Sequence, residues 1–194
     1  MRLADERYEE IKSSVVDMLV RIHERGYPLH TKSVIRALGG IVVPYSDIAD
    51  ETKRMLKEEF SKDGFQLTKD GHLYVFYNDS ICVGRYRYTL MHEVGHYWLG
   101  HTCTSKLAES EADFFAKYSL APPVVVNYYE CRDYIHLMSV FHLSEEAAKY
   151  AWNLYVRWLN RDGDGLSEQE KRLCRLLDIR QIIRKHREEL KLER

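Results

Sequence analysis

The chain has 194 residues, 45% of them hydrophobic and 30% charged, and a formal net charge of −1. That is the size and mix of one globular domain with a small appendage. It excludes a nucleic-acid binder that works by bulk charge and, with no apolar run approaching ~18 residues, a transmembrane helix. The charged start, Met1 to Arg7, opens an amphipathic pattern and not the apolar region of a signal peptide. Cys82, Cys103, Cys131 and Cys174 form no Cys-x-x-Cys pair and read as free thiols in a reducing cytoplasm.

Tyr8, Ile11, Val15, Leu19 and Ile22 recur at three- and four-residue steps, which predicts a helix over 5–25 stopped by Gly26 and Pro28. A second helix over Lys32–Leu38 ends at Gly39-Gly40. The pair does not make a DNA-reading helix-turn-helix, because the first helix is too long and the second lacks a basic recognition face. Ile41 to Pro44 reads as a short strand. Ser46–Ser61 reads as a charged helix whose buried face is Ile48, Met55, Leu56 and Phe60. Two β-rich runs, Gly64 to Thr68 and Leu73 to Tyr77, flank an Asp70-Gly71 pair and predict a hairpin. The second run is apolar on both faces, so it should be a central or covered strand.

A helix follows from about Arg85 to His101, and another from Lys106 to Leu120, ended by Ala121-Pro122-Pro123. Pro123–Phe141 should be helical with a break near Cys131. Ser144 N-caps a helix to Leu159, with Glu145 and Glu146 in its first turn. Ser167 to Glu170 is a capping box that starts a last charged helix to about Leu192. In between, Asn160, Asp162, Asp164 and Gly165 fall on positions of a calcium loop. Lys171, however, stands where that loop needs its bidentate glutamate, so a polar turn is the reading.

The stretch that carries chemistry is Thr89 to His101, which contains His92-Glu93-Val94-Gly95-His96, a His-Glu-x-x-His pattern. Histidines four apart lie one turn from each other on one helix face and can point at one metal ion. Glu93 projects beside that ion, where it can take a proton from a water. Tyr88, Leu90, Met91, Val94, Tyr97 and Trp98 make the segment apolar nearly all round, so the helix should be buried. Buried imidazoles and a buried carboxylate need partners, which a metal supplies. The bland alternative is a core helix with two hydrogen-bonded histidines.

A catalytic zinc takes three protein ligands. Downstream candidates are His101, Glu109, Glu111 and Asp113, with Cys103 a lesser one. A third histidine ligand six residues after His96 would fall on Thr102, so His101 is out of register and is assigned instead to the helix C-terminus, where a cation is favoured. Glu109 and Asp113 are four apart on the next helix, which a short turn makes antiparallel to the first. One can ligate while the other accepts the second N–H of a ligand histidine. Glu111 points about 160° from Glu109 at ~100° per residue, so the two cannot ligate in the same way. On this spacing either Glu109 or Asp113 can be the ligand and the other its outer neighbour, with Glu111 the alternative ligand.

Tyr77-Asn78, Arg85-x-Arg87-Tyr88-Thr89-Leu90-x-His92-Glu93-x-Gly95-His96, Glu109-x-Glu111-Ala112-Asp113-x-Phe115-Ala116 and Leu120-Ala121-Pro122 together resemble the ImmA/IrrE family of metallo-endopeptidases, from about Lys32 to Phe141. The resemblance implies an α+β, zincin-like fold: a small twisted sheet packed on the His-Glu helix, the glutamate helix beside it, and a bacterial or prophage origin. It matches His92 and His96 to the metal ligands, Glu93 to the base and Glu109 to the third ligand. Asp113 stands where Asn is common and Tyr88 where Phe is common. It also implies a substrate, a repressor with a helix-turn-helix domain whose cleavage releases a phage, mobile-element or stress programme.

The expected molecule is therefore a metallopeptidase domain over 1–159 with a helical extension over 160–194, mostly helical at both ends. It holds one Zn2+ per chain, cuts a cytoplasmic protein partner at one site, and has no direct nucleic-acid or membrane role. The substrate strand should lie along a sheet edge, with Leu73–Tyr77 lining the cleft and Tyr77 a candidate oxyanion donor. A reading from another class is a zinc-holding module that sequesters a regulator without cutting it. The intact Glu93 argues against it, since such a module needs no base.

Overall fold

The N-terminal periodicity becomes helix α1, Asp5–Arg21, in a computed structural model that describes residues 3–161 and 165–177. Ile11, Val15, Val16, Met18 and Leu19 form its buried face, while Asp5 and Glu6 occupy the first turn, where the helix dipole favours negative charge. The helix ends short of the expected residue 25 because the chain turns into a left-handed conformation at His23, φ 54°. Helix α2, Thr31–Ala37, leads into strand β1, Ile41–Pro44.

The next segment departs from expectation. Tyr45–Asp47 is a single 3-10 turn, and helix α3 spans only Asp50–Glu59 with no buried residue on it. Met55 is exposed and Phe60 is 59% exposed. The apolar spacing was real, but the face it marks is not covered by the core. Phe60 instead stacks on Phe65, centroids 4.6 Å apart, and Phe65 stacks on Phe76 at 4.8 Å.

Strands β2, Gly64–Lys69, and β3, His72–Tyr77, form the expected antiparallel hairpin, Lys69 opposite His72. Asp70 and Gly71 both have positive φ, 52° and 77°, as the two-residue turn of a right-twisted hairpin requires. β1 pairs parallel with β3, Ile41 opposite Tyr74, so the order is β1-β3-β2. The doubly apolar β3 is thus central, with Leu73, Val75 and Tyr77 buried. The Asn78 side chain fastens the end of β3, donating to the Lys62 carbonyl (3.1 Å) and accepting from Ser80.

Helix α4, Val83–Trp98, crosses one face of the sheet and packs its other side on helix α5, Lys106–Leu120. Leu90, Met91 and Val94 are fully buried between these layers. Gly95 lets the two helices touch: a Cβ there would lie 3.2 Å from the Ala112 Cα and from Phe115. Ser105 caps α5 by accepting from the Ala108 N–H, 3.0 Å.

The expected break near Cys131 separates helix α6, Pro123–Tyr128, from helix α7, Tyr134–Phe141, the latter capped by Asp133. Helix α8, Glu145–Leu159, is capped by Ser144. Helix α9, Glu168–Leu176, begins with the expected capping box of Ser167 and Glu170. Its expected continuation to Leu192, and the Asp162 and Asp164 positions of the calcium-like turn, lie outside the described residues. α9 lies on α1 and α6, burying Leu173, and Arg172 pairs with Asp17 across that contact at 2.6 Å. No described helix is long and apolar enough to cross a membrane.

The start of α4 is wedged against the α7–α8 junction. A Cβ on Gly84 would lie 2.1 Å from the Ser144 backbone nitrogen and 2.3 Å from the Leu143 carbonyl carbon. Those are backbone atoms that cannot swing aside, so Gly84→Ala should destabilise the fold by about 1–3 kcal/mol, read as a lower denaturant midpoint at unchanged slope.

Candidate metal centre

Helix α4 presents His92 and His96 one turn apart toward a cleft of about 560 Å³. The antiparallel approach of α5 brings Glu109 opposite them. One ligand atom from each of the three lies within 4.8 Å of the others. The individual separations are His92 Nε2 to His96 Nε2, 3.0 Å; His92 Nε2 to Glu109 Oε2, 3.3 Å; and His96 Nε2 to Glu109 Oε1, 3.4 Å. Metal–ligand bonds of about 2.0–2.2 Å at tetrahedral angles put neighbouring ligand atoms about 3.3–3.6 Å apart. The Glu109 carboxylate meets each imidazole with a different oxygen, and each of those contacts is of that order, so the three side chains already converge on one point. Two imidazoles and a carboxylate are also the donor set of an open catalytic site.

Glu93 is half-buried in the same cleft. Burial pushes its carboxyl up to about 7. His92 pulls it down, the Glu109 charge adds to the rise, and a backbone hydrogen bond from Gln66 on β2 opposes it. A carboxyl in that range can both accept and return a proton near neutrality. Burial, with His92 next to it, pushes His96 down, which favours the neutral, ligating form. Burial pushes His92 the same way, but Asp113 and the nearby glutamates outweigh it and raise that group.

Asp113 stands behind the cluster as its spacing from Glu109 allows. Its Oδ1 lies 3.3 Å from His92 Nδ1, too far off line for a hydrogen bond in this conformation, so that buried nitrogen has no hydrogen-bond partner. Tyr88 donates its hydroxyl to the same carboxylate. Burial would raise Asp113, but the contacts with His92 and Tyr88 hold it down at about 2.

Several candidates fall elsewhere. Glu111 does not join the cluster. It is buried on the other side of α5, where Arg7 of α1 donates to both its oxygens, Nε at 2.7 Å and Nη2 at 2.8 Å. His101 does not cap α4 with its ring, which sits between His96 and Glu111. Cys103 is exposed on the cleft wall and outside the cluster. Tyr77 is buried against Tyr86 beneath Lys32 and does not line the cleft. The strand that does line it is β2, through Gly64, Phe65 and Gln66, with Phe60 beside them. β3 could not serve as the edge strand because β1 and β2 pair with both its sides.

The sequence pattern of the IrrE N-terminal-like domain, peptidase family M78, matches residues 40–153, more than half of the chain. The chain belongs to this family. No curated protein matches it. In this M78 domain the matched span runs from the start of the sheet into α8 and includes the three clustered residues and Glu93. Family membership and the His-His-Glu cluster together make the chain a candidate metallopeptidase.

Three supports of the site are not visible as such in the sequence. The Gln66 backbone reaches Glu93 from the sheet, and Arg7 reaches Glu111 from a residue 104 positions away. Only Tyr88 left a signal, one helical turn before His92 on the same face.

Proposed function

We propose that this chain is a zinc-dependent endopeptidase of the cytoplasm that makes one limited cut in a protein regulator, a helix-turn-helix repressor of a phage, mobile element or stress response. The observation that carries the peptidase reading is the placement of Glu93 beside two imidazoles and a carboxylate whose ligand atoms lie within 4.8 Å of one another, in a cleft walled by an edge strand. His92, His96 and Glu109 would hold the metal. When bound, it supplies Lewis acidity toward the scissile carbonyl and the attacking water.

The chain's own residues do the rest. Glu93 takes the water's proton and returns it to the leaving amine. Asp113, held ionised 3.3 Å from His92 Nδ1, would accept the proton of that nitrogen once the ring turns into line, leaving Nε2 to face the cleft. β2 offers its open edge to an extended substrate segment, which would pair with it as an added strand. Phe60 and Phe65 give that edge an apolar wall. Such a cleft takes one extended segment at a time, which suits a cut in an exposed loop; restriction to one protein would come from contacts that a generic unfolded chain lacks.

The test is incubation of zinc-loaded protein with the repressor encoded beside it, and separately with an unfolded generic protein, followed by intact-mass measurement. The expected result is one fragment pair, or very few, from the repressor and little change in the generic protein. Rapid digestion of the generic protein with the repressor left whole would overturn the regulatory reading. A stable complex with no fragments would favour sequestration.

A further inference from the structure

The buried groups behind His96 form a continuous chain that the peptidase step does not use. His96 Nδ1 lies 2.9 Å from His101 Nδ1. His101 Nε2 lies 2.9 Å from Glu111 Oε2. Glu111 is held at both oxygens by the Arg7 fork. His96, His101 and Glu111 have side chains only 13%, 11% and 7% exposed, and Arg7 closes the series from α1.

The protons in this chain are not free to choose. Two imidazole nitrogens 2.9 Å apart must share one hydrogen, since two lone pairs or two N–H groups would repel. If His96 commits the lone pair of Nε2 to a metal, its one proton sits on Nδ1 and is donated to His101. His101 then accepts at Nδ1 and carries its own proton on Nε2, aimed at Glu111. Glu111 must accept there, and the Arg7 guanidinium keeps it an anion. Each link fixes the next, and all of them agree with one polarity.

We propose that His101, Glu111 and Arg7 are positioning residues that lock His96 in its ligating tautomer and ring orientation. Helix α1, which lies outside residues 40–153, is on this account part of the metal centre's support. A carboxylate hydrogen-bonded to a ligand imidazole through an intermediary makes that imidazole a stronger donor, as a direct carboxylate does. The two ligand histidines are thereby served differently: Asp113 lies directly behind His92, whereas His96 reaches its carboxylate through a second ring.

The inference rests on the assignment of His92, His96 and Glu109 as ligands. Its readout is zinc binding, so it stands apart from whether the chain cuts a protein. Zinc affinity would be measured by chelator competition for the wild type, His101→Phe, Glu111→Gln and the double variant. Each single change should weaken zinc by about 10–100-fold. In the double variant Glu111→Gln should add nothing to His101→Phe, because its influence passes through His101. Unchanged affinity in His101→Phe, or fully additive losses, would overturn the relay.

Nitrogen-15 spectra of the zinc-loaded wild type give a second measurement that needs no variant to fold. They should show His96 protonated at Nδ1 and His101 at Nε2; His101 protonated at Nδ1 would overturn it. A wild-type chain that binds no zinc would overturn the ligand assignment and the relay with it.

Discussion

Glu93→Gln should keep the metal and the fold and lose peptidase activity by about 10²–10⁴-fold, the range of a lost general acid–base step. The amide has nearly the shape of the carboxyl and can still accept from the Gln66 backbone that Glu93 meets. It is not one of the three clustered ligand groups, so metal content should not change. What it cannot do is take a proton from water. The same variant should hold an uncut partner in the cleft, which makes it the natural reagent for trapping the substrate. Comparing initial rates of zinc-loaded wild type and variant checks this, with metal analysis of both samples. Full activity in a zinc-loaded Glu93→Gln chain would sink the mechanism.

The second large effect separates two glutamates that are neighbours in sequence and opposites in structure. Glu109→Ala removes one of three protein ligands, leaving two imidazoles that no longer close a face around an ion. The purified variant should carry little metal. Added zinc should raise its melting temperature far less than it raises the wild type's, because ligand binding to the native state is what raises it. Glu111→Ala leaves the ligand set whole but strips the shared partner of Arg7 and His101. It should lower the stability of the metal-free chain by about 1–3 kcal/mol, the cost of leaving buried polar groups unpaired. Loss of metal confined to Glu111→Ala, with Glu109→Ala fully loaded, would reverse the roles given to the two residues.

How much of this was legible in the sequence depended on distance along the chain. Helical spacing put His92 beside His96, and Glu109 in line with Asp113, because a helix is a local rule. The Asp70-Gly71 turn and the Ser144 and Ser167 caps were legible for the same reason. The edge strand was legible only by half. The double apolarity of Leu73 to Tyr77 marks β3 as central, but that β2 is left open beside the cleft depends on the parallel pairing of β1 with β3, a contact between distant segments. The apolar positions of α3 predict a core face that the structure leaves uncovered, because periodicity marks a face without saying what meets it. The place of His101 is not a local property: its spacing continues the helix, whereas α4 stops at Trp98 and Gly100 turns the chain at φ 72°. That turn brings the His101 ring back onto His96. Nothing local to Arg7 announces a partner on α5.

The open edge of β2 has a cost of another kind. A row of unpaired N–H and C=O groups is a template for any passing chain, and proteins usually guard it with charge, brevity or cover. Here the strand is six residues long, and exposed Lys69 stands at the hairpin end. The cleft end, at Gly64 to Gln66, carries apolar Phe65 with Phe60 stacked on it and no lysine. At that end the Gly64 N–H donates to Ser61 Oγ and the Gln66 backbone meets Glu93, so a second copy pairing there would displace both contacts and close the cleft. Crowding at high concentration would then present as lost activity before it presents as precipitate.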